Sequence, residues 1–104
     1  MGEHTLCALV DLAPGTAQRF DVGGHRIALA RVNDTVYAIG DRCSHEDFSL
    51  SLGEVDVDNC EIECARHGAS FDLTTGAAMT FPATEKVASY PVVIVDGAVV
   101  VTLP

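Results

Sequence analysis

The sequence predicts an all-β domain. Two observations carry that expectation. Short runs rich in β-branched residues are separated by dipeptides suited to tight turns, and no stretch sustains a helical period. Asp96-Gly97, between residues 91–95 and 98–103, is the strongest hairpin signal, because both residues take the positive φ angles of a two-residue turn.

In chain order, residues 4–10 can open with a strand that ends at Asp11 and the Pro14-Gly15 turn. Gly23-Gly24 joins residues 18–22 to 25–32 as a hairpin, and Asn33-Asp34 turns the chain back into 35–39. Residues 41–83 then change character, holding several glycines, two separated Cys–His pairs and the step Phe81-Pro82-Ala83. Within them Cys60, Ile62 and Cys64 alternate with Glu61 and Glu63, the pattern of a half-buried strand. Residues 70–73 and 77–79 flank Thr74-Thr75-Gly76 as a further hairpin. The economical organisation is one domain over 1–104. A β base comes from residues 1–40 and 84–104, and a smaller subdomain, 41–83, is inserted between them.

At 104 residues with 48 % apolar composition, the chain can bury one modest core and gains from a bound metal group. Fifteen acidic residues against six basic ones leave a formal charge of −9. That leaves no extended Lys/Arg patch of the kind a nucleic-acid backbone or an anionic membrane needs, so neither is an expected partner. The charge favours docking onto a basic patch of another protein. No secretory leader pattern and no apolar run of about 20 residues is visible. Four cysteines in such a chain read as metal ligands or buried thiols rather than a disulfide framework. A cytoplasmic monomer is expected.

The candidate ligands are Cys43 and His45 at one end of the central stretch, and Cys64 and His67 at the other, with residues 46–63 between the inner pair. Each end offers one thiolate and one imidazole. Such a set suits a [2Fe–2S] cluster in which two Cys hold one iron and two His the other. Zinc also accepts two Cys and two His, but zinc fingers group like ligands, Cys with Cys and His with His. Cys7 and Cys60 read as packed thiols, and His4 and His25 as solvated side chains. Glu46, Asp47, Glu54, Asp56 and Asp58 form an acidic surround. No activated serine, Gly-rich phosphate loop or dinucleotide fingerprint is present, so the chain can carry an electron but has no site at which to use it.

Cys43-Ser44-His45, Cys64-Ala65-Arg66-His67-Gly68, Ser70-Phe71-Asp72 and Phe81-Pro82-Ala83 together resemble a Rieske-type [2Fe–2S] ferredoxin, over essentially the whole chain. The resemblance is to the small ferredoxin components of bacterial aromatic-ring dioxygenase systems. Within those it is to actinobacterial versions that accompany iron–sulfur assembly genes. It implies three stacked antiparallel sheets with the cluster at the tip of the inserted subdomain, and Pro82 in a third loop covering it. It also implies a non-enzymatic carrier between a flavin-dependent NAD(P)H reductase and a terminal non-haem iron oxygenase. Phe48, Arg66 and Pro82 would shield the cluster. Redox support of iron–sulfur cluster assembly and a zinc-bound interaction module are the alternatives.

Respiratory Rieske proteins, by the same resemblance, carry one more Cys in each ligand loop; here Phe48 and Arg66 stand there. They also place hydroxyl-bearing Ser and Tyr at the positions of Ala69 and Phe71. Without those hydrogen bonds to sulfur, the added electron is less stabilised. The midpoint potential is therefore expected at the low end of the Rieske range, around −150 mV. Ala69→Ser and Phe71→Tyr should each raise it in a redox titration, and a strongly positive wild-type value would contradict this account.

Overall fold

A computed structural model describes residues 2–44, 48–66, 68–81 and 83–104. Among the described residues, ten strands make three antiparallel sheets. The first sheet takes β1 (Gly2–Ala8), β10 (Ala98–Leu103) and β9 (Val92–Val95), in that order. The second takes β2 (Ala17–Val22), β3 (His25–Val32), β4 (Thr35–Gly40) and the two-residue β8 (Ser89–Tyr90). The third is small: β5 (Glu54–Asp56), β6 (Glu61–Glu63) and β7 (Ser70–Asp72). Regular helix is confined to the short 3-10 turns Leu9–Asp11 and Leu50–Leu52 among the described residues.

The hairpins stand where the turn dipeptides place them. Gly23 and Gly24 both have positive φ (56° and 81°), and Val22 pairs with His25 across them. Asp96 and Gly97 do the same (49° and 77°) between Val95 and Ala98. Asn33, at φ 55°, starts the turn that pairs Val32 with Thr35. In each case the twist of the turn matches that of the strands it joins. The Thr74-Thr75-Gly76 hairpin is slighter than expected. Its second arm makes a single bridge, Phe71 with Ala78, and the turn is held by the Asp72 carboxylate accepting from the Thr74 amide at 2.7 Å. Those bonds keep the Asp72 carboxyl below its ordinary pKa, the Thr74 hydroxyl contributing most.

Side-chain alternation along β3 builds the core. Ile27 and Leu29 face one cluster with Leu12, Val36, Ala38, Val99, Val101 and Leu103. Ala28, Ala30 and Val32 face a second cluster with Ile39, Leu50, Ile62, Phe71 and both Cys43 and Cys64. The second sheet is therefore the middle layer, covered on both faces.

Two close approaches join the outer pieces. A Cβ on Gly53 would lie 1.7 Å from the Glu63 carbonyl oxygen, and one on Gly76 2.1 Å from the Val87 carbonyl oxygen. The turn Leu50–Leu52 is thereby set against the end of β6, immediately before Cys64. Gly53→Ala should force the two backbones apart and cost about 1–3 kcal/mol, the usual penalty for overpacking. Chemical denaturation of the variant checks this; wild-type stability would contradict it.

Candidate metal centre

Cys43 and Cys64 are each almost fully buried, 2 % and 1 % exposed, and sit in the same core cluster. Both are free thiols. Each heads a loop closed by its own backbone N–H: Cys43 donates to the Phe48 carbonyl at 2.9 Å, and Cys64 to the Ala69 carbonyl at 2.7 Å. The second loop is tightened further by the Gly68 N–H on the Cys64 carbonyl at 3.0 Å, with Gly68 at φ 75°. Two similar loops, six residues from closure to closure, thus spring from the core with a thiol at each base. His45, Glu46, Asp47, His67 and Pro82 lie outside the described residues. The structure accordingly places Cys43 and Cys64 in one buried core cluster, each at the base of a backbone-closed loop, with the histidine positions between the closing residues by sequence.

The loops are fixed from behind by residues that sequence reading did not single out. Asp41 is fully buried two positions before Cys43. Its carboxylate accepts from the Ser49 hydroxyl and from the Ser51 N–H at 2.9 Å, and Arg19 Nε lies 3.8 Å away. Its carbonyl accepts from the Leu50 N–H at 2.5 Å, and its own N–H donates to the Arg26 carbonyl at 2.9 Å. One residue therefore ties the first loop both to the turn that follows it and to β3. Ser44 reaches across to a third segment, its hydroxyl donating to the Glu85 carbonyl at 2.5 Å. The signal in the sequence was a charged residue directly after an apolar strand, which reads equally well as a turn; only burial shows its role.

Ala69 and Phe71 are fully buried beside these loops, Phe71 being among the largest completely enclosed side chains. Phe48 is half-buried against the same cluster, while Arg66 is exposed. Met79 and Phe81 stand 49 % and 83 % exposed just before Pro82, so an apolar rim borders the third loop.

The expectation for Cys60 needs correction. It is a turn residue at φ 54°, not a member of the β6 face, and its carbonyl accepts the Leu73 N–H at 2.9 Å. The preceding turn, anchored by the Asn59 side chain on Asp56 at 2.9 Å, ends at Cys60 and β6 begins only at Glu61. Its thiol is half-buried against the core, and hydrogen bonding between Tyr37 and Cys60, with burial, pushes the Tyr37 phenol above its usual pKa. Cys7 is half-buried on the other cluster, and burial together with Asp11 pushes its thiol up. His25 is not simply solvated: it is half-buried, its ring edge-on to Tyr90 with centroids 5.8 Å apart.

Residues 2–91 match the Rieske [2Fe-2S] domain. The 3-phenylpropionate/cinnamic acid dioxygenase ferredoxin subunit of Escherichia coli (strain K12) is 42 % identical over 98 residues, 94 % of this chain and 91 % of that protein. Among solved structures, the ferredoxin of carbazole 1,9a-dioxygenase from Nocardioides aromaticivorans IC177 superposes with a TM-score of 0.96 at 34 % identity, covering 100 % of both chains. A ferredoxin in the complex of reduced oxygenase and oxidized ferredoxin in carbazole 1,9a-dioxygenase superposes at 0.88 with 38 % identity, over 96 % of this chain and 92 % of that one. The chain belongs to the Rieske [2Fe–2S] family, and its cofactor is a cluster of that type. Its relatives are electron-transfer subunits rather than catalytic ones. The two buried cysteines fit such a group, whose sulfur-ligated iron takes two Cys donors that coordination itself deprotonates.

Asp41→Ala removes the acceptor for Ser49 and for the Ser51 amide. It should cost about 1–3 kcal/mol for the buried groups left unpaired and speed loss of the visible cluster absorbance on dilution. Wild-type stability together with a wild-type bleaching rate would contradict that role.

Proposed function

We propose that Cys43 and Cys64 hold one iron of the cluster and His45 and His67 the other. Residues 41–83 would form the cluster-carrying unit, set on a base of 1–40 and 84–104. The single observation that carries the assignment is the pair of buried thiols, each at the root of a backbone-closed loop in which the candidate histidine is the second or third residue after the cysteine. When bound, the cluster supplies one-electron chemistry: with two thiolates and two neutral imidazoles it is formally uncharged when oxidised and about −1 when reduced. The chain's own part is to root the two cysteines in a dry core and to present a docking face.

The carrier would take electrons from a flavin-dependent NAD(P)H reductase and pass them to a terminal non-haem iron oxygenase. The named complex of oxygenase and ferredoxin in carbazole 1,9a-dioxygenase supports the second partner. Two surface features suit such docking. Met79 and Phe81 provide an apolar rim, and the outer face of the third sheet is acidic, with Glu54 opposite Glu63 and Asp56 opposite Glu61. An acidic face speeds encounter with a basic patch on a partner and does so less at high salt. No helix among the described residues is long and apolar enough to cross a membrane.

The test is an EPR spectrum of the anaerobically purified and chemically reduced protein. A rhombic signal with the low average g of a mixed nitrogen- and sulfur-ligated centre is expected. His45→Ala and His67→Ala should each abolish it while Cys60→Ala retains it. A silent spectrum with stoichiometric zinc, or full signal in either histidine variant, would overturn the assignment.

A further inference from the structure

Only six residues of the chain are basic, and their distribution is uneven. Arg31 is committed to the fold, donating to the Leu9 and Leu12 carbonyls at 3.2 and 2.9 Å and pairing with Asp34. Arg19 pairs with Asp21 at 2.9 Å and approaches Asp41. Arg66 lies in the second loop. The remaining three, Arg26, Arg42 and Lys86, line one open cleft of about 480 Å³, along with His25 and the Cys43–Ser44 backbone region. The walls of this cleft are stitched together, by Ser44 on Glu85, by the Gly40 N–H on the Ala88 carbonyl at 2.8 Å and by the Asp41 N–H on the Arg26 carbonyl. It is preformed rather than assembled on binding.

Among the described residues, three carboxylates bear on its charge. Asp41 turns its oxygens to Ser49 and Ser51 and is buried. Asp21, on β2, is held below its usual pKa mainly by its bond to Arg19, with Arg26 adding to the effect. Glu85 is exposed on the rim. In a molecule of charge −9, the cleft is the place where cations gather.

We propose that this cleft binds a small oxyanion, a phosphate or carboxylate group carried by a small molecule. Its volume lies within the range of small-ligand sites, roughly 300–1,000 Å³. An acidic protein surface would bring many charges against the molecule's net negative field. A single small anion meets chiefly the cations within one Debye length, about 8 Å at physiological ionic strength, because more distant carboxylates are screened. Cys43 borders the same cleft, so a bound anion raises the energy of an added electron nearby. By linkage the oxidised protein binds it more tightly than the reduced one, and the anion lowers the midpoint potential. This redox linkage rests on the carrier reading; the binding itself does not.

Calorimetric titration of the oxidised holoprotein with inorganic phosphate, at ionic strength held constant with sodium chloride, tests the site. Saturable binding is expected, weakened about fivefold or more by Lys86→Gln and tightened about twofold by Glu85→Gln, as charge-assisted hydrogen bonds and a rim repulsion require. Both residues are exposed, so neither variant threatens folding. A redox titration with and without phosphate should show a lower potential in wild type and a smaller shift in Lys86→Gln. Heats that do not saturate, or binding unaltered by Lys86→Gln, would overturn the site. Saturable, Lys86-dependent binding with an unmoved potential would uphold the site and overturn the linkage.

Discussion

Burial of β3 on both faces is the constraint on which the rest of this structure depends. Its successive residues Ile27, Ala28, Leu29 and Ala30 are all fully enclosed, alternately in the two core clusters. A strand so placed leaves no solvent face, and one residue of slippage would exchange the large side chains for the small ones. The difference in size matters. Ile27 and Leu29 fill the space below the first sheet, whereas Ala28 and Ala30 let Leu50, Ile62 and Phe71 approach from the other side. The segment that holds Cys43 and Cys64 is therefore seated directly on the middle sheet rather than tethered to it.

That seating is why two cysteines can be both core residues and the roots of backbone-closed loops. Cys43 follows β4 by way of Asp41, and Cys64 follows β6, so each thiol is placed by a strand end and each loop is closed by a hydrogen bond at its base. The strands that carry them are pinned in turn, β6 by the approach of Gly53 to the Glu63 carbonyl and the first loop by the buried Asp41 carboxylate. A buried carboxylate requires compensating donors, and here Ser49, Ser51 and the nearby Arg19 supply them. Metal affinity in such a site is shared with folding, because the loops owe their shape to the same core that the metal helps to hold.

The charge distribution opposes folding locally and serves the surface. Directly opposed carboxylates, Glu54 with Glu63 and Asp56 with Glu61, repel across neighbouring strands. The cost is limited because most of these side chains are exposed and screened by solvent, and the opposite face of the same strands carries Val55 and the fully buried Ile62. The basic residues are concentrated on the other elements, several of them around the cleft beside Cys43.

Local chemistry was enough to determine the all-β class, most of the hairpins and the two Cys–His pairs. Gly23-Gly24 and Asp96-Gly97 are dipeptides that readily take the positive φ of a two-residue turn, and the β-branched runs beside them need no knowledge of neighbours to read as strands. The run 60–64 shows where that logic ends. Its alternation placed Cys60 beside Ile62, but a turn held by Asp56 and Asn59 takes Cys60 out of the strand and into a left-handed conformation. Asp41 marks the same boundary: a polar residue after a strand reads as a turn until the tertiary structure buries it and aims Ser49 and Ser51 at its carboxylate. The sequence by itself determined which groups could bind metal, because ligand chemistry resides in side-chain type and spacing. Only the tertiary structure decided which sheet seats the loops, which buried carboxylate anchors them and where the basic side chains gather. Those relations depend on residues far apart in the chain meeting in space, and no local pattern encodes that meeting.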